Sequence, residues 1–95
     1  MSEEITFQDN GNRGRYVLRK GDAEAEMTVS KISSHLWIVD HTSVPEALNG
    51  QGVGKALALF AVEDARKADR TLRATCPFFL AQAARHPEWS DVVKI

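Results

Sequence analysis

The first half of the chain alternates apolar and polar residues with the period of two that β-strands show when one face is buried. In the segment 23–32, alanine, methionine and valine side chains share one face and two glutamates share the other. Shorter alternating segments at 5–8 and 15–20 are separated from their neighbours by Asn-Gly and Gly-Asp pairs, which favour tight turns. The pattern predicts three strands of an antiparallel meander.

The segment 36–44 differs from these strands because its first residues are apolar on both faces, which is typical of an interior strand covered on each side. A proline ends it. The period then changes, and the spacing of apolar residues predicts a helix over 53–68. A short apolar strand over 71–76 follows, and a second helix over 78–85 ends before another proline.

The predicted element order is therefore β-β-β-β-α-β-α, with one helix between the strands 36–44 and 71–76. A strand–helix–strand unit of this kind joins two parallel strands through a right-handed crossover. We predict an α+β fold, an α/β sandwich whose mostly antiparallel sheet contains one parallel βαβ unit. The chain of 95 residues suits a single domain, residues 1–95, with one core.

Composition and charge argue against several classes of partner. Twelve Lys and Arg side chains balance thirteen Asp and Glu side chains, for a net charge of −1, so we expect no binding to nucleic acid. The polar first residues do not resemble a secretory signal, and no apolar run approaches the roughly 20 residues that span a membrane. The single cysteine, Cys76, excludes an internal disulfide. We expect a monomer in the cytoplasm.

The stretch "LNGQGVGKALALF", residues 48–60, carries three glycines at every second position, followed by a lysine and an apolar run. A P-loop would need a glycine and a hydroxyl residue where this chain has Asn49 and Ala56. The dinucleotide-binding pattern would need a glycine in place of Lys55, and its glycines would follow a strand directly. Neither of these two phosphate-binding patterns fits.

A third pattern fits better: (Arg/Gln)-x-x-Gly-x-Gly between an apolar strand and a helix, read here over residues 49–54. Glycines leave successive backbone N–H groups open, and the following helix adds unpaired N–H donors and the positive end of its dipole. A pyrophosphate can bind there almost without side chains. The alternative is a flexible loop that uses glycine only for turning.

The glycine loop and its flanks, "VPEALNGQGVGKAL", resemble the acetyl-CoA-binding motif of the GNAT N-acetyltransferase superfamily. The resemblance extends over residues 14–91. Three further motifs occur in the order found in a branch of small, single-domain GNAT-like proteins: His41-Thr42, Cys76-Pro77-Phe78 and His86-Pro87-Glu88-Trp89.

The resemblance implies a GNAT-like fold, acetyl-CoA or CoA as cofactor, and an amine as acceptor. It implies that the cofactor contacts the following residues: Thr42, Ser43, Val44, Asn49, Gly50, Gln51, Gly52, Val53, Gly54 and Lys55. The superfamily prefers Arg or Gln where this chain has Asn49, but backbone amides still bind phosphate, so we expect cofactor binding to survive this departure. The acceptor cannot be carried over, because small members lack the N-terminal helices that shape its site in larger ones.

Cys76 and His41 are the candidate catalytic residues. Cys76 closes the predicted strand 71–76, and ligands bind at the carboxyl ends of parallel strands, so its thiol can accept the acetyl group or line the site. His41 falls on the face of Trp37 and Val39 and can act as a general base. The alternatives are a small buried side chain for Cys76 and a structural role for His41.

Two classes of function follow from these residues. The first is an acetyl-CoA-dependent N-acetyltransferase that acts on an unidentified amine, by direct attack or through an acetyl-Cys76 intermediate. The second is a non-catalytic module that binds acetyl-CoA or CoA, and a thiol hydrolase built on Cys76 and His41 is a more distant third. No metal is predicted, because the candidate ligands lack the paired spacing of zinc sites: His35, His41, Cys76 and His86.

Overall fold

The three alternating segments and the segment 36–44 form a meander of four antiparallel strands in this computed structural model, which describes residues 4–94. The strands of the meander are β1 (Glu4–Asp9), β2 (Arg13–Lys20), β3 (Ala23–Ser33) and β4 (Leu36–Ser43). Strands β2, β3 and β4 each pair with the strand that precedes them in the chain. The antiparallel meander predicted from the period-two pattern is confirmed.

The second half adds two helices and a fifth strand. Helix α1 spans Val53–Lys67, strand β5 spans Thr71–Ala74 and helix α2 spans Pro77–Arg85. Strand β5 pairs with β4 in parallel, so the sheet order is β1-β2-β3-β4-β5. The predicted α+β class, element order and parallel βαβ unit are confirmed. No helix in the described part of the chain is long and apolar enough to cross a membrane.

Helix α1 covers one face of the sheet. Its buried residues recur at spacings of three and four: Val53, Gly54, Leu57, Ala58, Ala61, Val62 and Ala65. Tyr16 on β2 is fully buried beneath it, and its hydroxyl donates a hydrogen bond of 2.7 Å to the Asp64 carboxylate of α1. Met27, which pairs with Tyr16, and Val29 are fully buried on the same face of the sheet.

Strand β4 is interior but only partly covered on its second face. Trp37 and Val39 are buried on one face, whereas Leu36 and Ile38 on the other are half-buried. The predicted cover on both faces is therefore incomplete. The apolar run indicates a strand in the interior of the sheet, between β3 and β5, rather than a strand with both faces covered.

Strand β5 is shorter than predicted and ends at Ala74 rather than at Cys76. Its pairing with β4 ends at Val39 and Ala74, and the N–H groups of Thr75 and Cys76 both donate to the Val39 carbonyl, at 3.0 and 3.3 Å. The chain turns away at that carbonyl, so the two parallel strands diverge beyond it. The rest of β4 pairs only with β3.

A β-bulge at Asp40 changes the faces of the end of β4. Thr28 pairs with His41 and Val29 pairs with Val39, which leaves Asp40 as an extra residue. Its carboxylate accepts a hydrogen bond of 2.6 Å from the Ser30 hydroxyl. Because side chains alternate along a strand, one extra residue moves every later side chain to the opposite face.

Candidate functional site

A cleft of about 390 Å³ opens where β4 ends, α1 begins and α2 lies alongside. The residues that line it come from the end of β4, the loop before α1, the start of α1 and one side of α2: Thr42, Val44, Leu48, Asn49, Gly50, Gly52, Val53, Gly54, Lys55, Phe78 and Gln82. Divergence of β4 from β5 makes room for this cleft. Ligands of open α/β sheets bind in such a position, outside the carboxyl ends of parallel strands.

Two glycines of the loop have a left-handed backbone. Gly50 has φ of 77° and Gly52 has φ of 72°, a conformation that side chains other than glycine rarely adopt. Open space surrounds both positions, since a Cβ added at either would meet no atom within 4 Å. The backbone path, rather than crowding, therefore requires glycine at these two positions.

The start of α1 presents free backbone donors to the cleft. Gly52 is the N-cap residue, and the first intrahelical bond runs from the Ala56 N–H to the Gly52 carbonyl at 2.9 Å. Within residues 4–94 no side chain caps this end, and the first turn carries no acidic residue. The unpaired N–H groups and the helix dipole make this end a site for an anion, with the exposed Lys55 ammonium beside it.

The third glycine of the loop has a different role. Gly54 is buried in the first turn of α1, and a Cβ added there would lie 2.6 Å from Cζ of Phe78. That separation is shorter than the contacts that non-bonded carbon atoms make, so the Phe78 ring occupies the space that a side chain at this position would need. Gly54 leaves room for the ring, whereas Gly50 and Gly52 are required by the backbone path.

Of the residues predicted to contact a cofactor, all line the cleft except Ser43 and Gln51. Ser43 follows Thr42 along the strand and therefore points to the opposite face, where it pairs with Glu26 of β3. The Gln51 side chain accepts a hydrogen bond of 2.7 Å from Lys20 and donates one of 3.2 Å to the Ala47 carbonyl. Gln51 thus fastens the loop to β2 instead of facing the cleft.

Cys76 lies behind the cleft rather than in it. Its side chain is 2% exposed and it is the N-cap residue of α2. The Cys76 Sγ lies 3.4 Å from the Thr42 Oγ1, and Thr42 lines the cleft. The thiol is therefore separated from the cleft by one side chain.

The structure joins Cys76 to Thr42 rather than to His41. His41 is exposed and lies opposite Thr28, whereas Thr42 lies opposite the buried Met27. The expected position of His41 on the face of Trp37 and Val39 is wrong, because the bulge at Asp40 exchanges the two faces. The predicted catalytic pair is consequently not brought together at the cleft.

Three lining residues were not predicted from the sequence: Leu48, Phe78 and Gln82. Phe78 and Gln82 lie four residues apart on α2 and so project from the same side of the helix. The signal that could have found Phe78 was Gly54, since a glycine inside a helix costs about 0.5–1 kcal/mol relative to alanine and needs a packing reason.

The short 3-10 helix Pro87–Asp91, called the C-terminal turn below, follows α2 and holds it in place. The His86 ring donates from Nδ1 to the Gln82 carbonyl at 2.7 Å and stacks on Trp89 with the ring centroids 4.3 Å apart. Trp89 is buried and stacks in turn on Phe79 at 6.1 Å. His86 is the C-cap residue of α2, as its place before a proline led us to expect. Glu88, in the same turn, is exposed.

Comparison with known proteins agrees with this architecture. The model of the GCN5-related N-acetyl-transferase family matches residues 15–92. The NMR solution structure of a GCN5-like candidate N-acetyltransferase from Staphylococcus aureus superposes with a TM-score of 0.69 at 29% identity, covering 94% of this chain and 87% of that one. No curated protein matches the chain. Family match and fold together establish that this chain belongs to the GCN5-related N-acetyltransferases.

Proposed function

We propose that the chain is an acetyl-CoA-dependent N-acetyltransferase that binds CoA in the cleft and acetylates an amine. The start of α1 carries this proposal: an uncapped helix end, as far as the structure describes the chain, preceded by two left-handed glycines and open to the cleft. The backbone N–H groups of residues 53–55 would hold the diphosphate of CoA. Lys55 would add a charge that solvent screens.

The end of β4 would hold the pantetheine arm. Beyond Val39 the strand no longer pairs with β5, so the backbone on that edge is free to bond an extended ligand. Thr42 and Val44 line the cleft along this stretch. The two amide groups of the pantetheine can add to such an edge as a peptide strand would. The thioester would then lie near Thr42 and Cys76.

Transfer is proposed to be direct. In this route the acceptor nitrogen would attack the thioester carbonyl carbon, the C–S bond would break, and the proton that the amine loses would neutralise the departing CoA thiolate. Burial of Cys76 behind Thr42 favours this route over an acetyl-Cys intermediate, because the thiol does not line the cleft. Separation of Cys76 from His41 gives no support to a thiol hydrolase.

A non-catalytic CoA-binding module is the second candidate, and one observation favours it. In the described part of the chain, Lys55 is the only ionisable side chain that lines the cleft. An acetyltransferase built on this site would rely on positioning and on the activated thioester, without a general base in the cleft. Turnover of acetyl-CoA with a panel of amines and peptides separates the two functions.

Calorimetric titration with CoA tests the site itself. The Gly52→Glu change places a side chain and a negative charge where the diphosphate would bind, so we expect affinity to fall by at least about 100-fold. Gly11→Glu is the matched control, because Gly11 also has a positive φ of 82° and open surroundings but lies in a turn away from the cleft. If Gly52→Glu folds and binds CoA as tightly as Gly11→Glu does, the loop is not the phosphate site.

A further inference from the structure

Phe78 is an aromatic side chain at the cleft, and its position is set by the start of α2 and by Gly54. It is the second residue of α2, directly after Pro77. Phe78 lines the cleft and is 37% exposed. Two residues before it, Cys76 contacts Thr42 and so fixes the start of α2 against the end of β4. The ring therefore has a defined position beside the strand edge.

Gly54 fixes the other side of the ring. Three ring atoms lie 2.6, 3.0 and 3.3 Å from the place where a Cβ of Gly54 would be. Alanine would be the better helix former at this buried position, by about 0.5–1 kcal/mol. The helix gives up that stabilisation, and in return the tip of the Phe78 ring contacts its first turn at Gly54.

The lining of the cleft has two chemical parts. Lys55 and the backbone donors of the glycine loop form the polar part, and the apolar side chains of Val44, Leu48 and Phe78 form the apolar part. A diphosphate suits the first part. The second part suits a chain of methylene and methyl groups that carries only neutral amides, because burying such groups stabilises a complex in proportion to the apolar area removed from water.

We propose that Phe78 determines specificity for the arm of the cofactor: its ring packs on the pantetheine of CoA and contributes little to binding of the nucleotide. This inference rests on the proposed function, since it assumes that CoA is the ligand. It assigns Gly54 a role as well, which is to leave space for the ring rather than to let a phosphate approach the backbone.

The first test compares the affinities of two ligands, one with the pantetheine arm and one without it. The probes are CoA and adenosine 3′-phosphate 5′-diphosphate, which is the nucleotide part of CoA without pantetheine. We expect Phe78→Ala to weaken CoA binding by about tenfold and to change nucleotide binding by less than about twofold. The matched control is Phe60→Ala, because Phe60 is 39% exposed, close to the 37% of Phe78, but packs on Tyr16 and does not line the cleft.

The second test is a double-mutant cycle between Gly54 and Phe78. Gly54→Ala should weaken CoA binding about as much as Phe78→Ala, because the added methyl group displaces the ring. In the Phe78→Ala background the same methyl group has room, so Gly54→Ala should then have almost no further effect. Phe78→Val, which removes the ring but keeps a short apolar side chain, replaces Phe78→Ala in both tests if thermal unfolding shows that the alanine variant does not fold.

The outcomes separate this inference from the proposed function. If wild type does not bind CoA, the proposed function fails and the inference with it. If wild type binds CoA but Phe78→Ala weakens both ligands equally, the ring serves the nucleotide and the inference alone is wrong. Equal effects of Gly54→Ala in both backgrounds would also overturn it, since Gly54 would then act on the ligand and not through the ring.

Discussion

At the scale of single residues, substitution of Cys76 distinguishes direct acetyl transfer from transfer through the thiol. Because its thiol is 2% exposed behind Thr42, we expect no acetyl adduct when wild type is incubated with acetyl-CoA and no acceptor. We expect Cys76→Ala to keep most of the turnover once an acceptor is known. Intact-mass spectrometry and a turnover assay measure the two quantities, and thermal unfolding checks that the variant folds.

The opposite result would be equally clear. An added acetyl group on wild type that is missing from Cys76→Ala, together with lost turnover, would establish the thiol as the first acceptor. Gly52→Glu is the control, because a variant that cannot hold the cofactor should show neither adduct nor turnover by either route.

Single residues also mark the limit of what the sequence predicts. The glycine loop was predictable because three glycines at a helix start are costly and therefore informative. The extra residue at Asp40 was not, because an ordinary strand residue becomes a bulge only through its pairing with β3. That one residue decides that Thr42, and not His41, lies beside Cys76.

At the scale of elements, the hydroxyl of Tyr16 joins β2 to α1 through Asp64. Burial, with the hydrogen bond to the Asp64 carboxylate, raises the pKa of Tyr16 above its ordinary value of 10.0. The folded state therefore keeps the phenol protonated at pH values where the unfolded chain ionises it. This contribution to stability is fully present below about pH 10 and is lost as the pH rises further.

We predict that Tyr16→Phe lowers the free energy of unfolding by about 1 kcal/mol near neutral pH, through loss of one hydrogen bond. The difference from wild type should shrink as the pH rises above about 10. Urea denaturation at several pH values measures it, and tyrosinate absorbance reports on Tyr16 directly because the chain has one tyrosine. A difference that stays constant with pH would show that the phenol does not titrate differently in the two states.

The sequence predicts the end of an element correctly when neighbouring residues in the chain cause it. It misses an end that is caused by contact with a distant segment. Helix α2 ends before Pro87 because proline disfavours a helical residue before it, and the sequence shows this directly. Strand β5 ends early because two N–H groups share the Val39 carbonyl, a contact between segments far apart in the chain. Phe78 was missed as a lining residue for the same reason, since only packing brings it to Gly54.

At the scale of the whole molecule, surface carboxylates set the response to acid. Arg66 of α1 donates two hydrogen bonds of 2.8 Å to Asp91 in the C-terminal turn, and they hold the pKa of Asp91 below its ordinary value of 3.8. Hydrogen bonds from basic partners lower the pKa of Asp9 and Glu24 in the same way. The stabilisation that these carboxylates provide is present above about pH 4 and is lost as the pH falls below it.

We predict that Asp91→Asn unfolds at a lower urea concentration than wild type at neutral pH, and that the difference disappears as the pH falls through the range below about 4. The difference should also shrink in high salt, because the pair is exposed. Glu88→Gln is the control, since it removes an exposed carboxylate from the same turn. An Asp91→Asn effect of constant size from pH 7 to pH 3 would contradict a charge-based origin.

The strand order β1 to β5 also governs the time course of folding. Each of the first four strands lies beside its neighbour in the chain, so the meander can pair through hairpins while later residues are still being synthesised. The cleft has to wait for β5 and α2, which follow the meander in the chain. If the meander pairs first, a ligand that binds in the cleft stabilises contacts formed late in folding. We therefore expect it to prolong the lifetime of the folded molecule and to leave the rate of its formation almost unchanged.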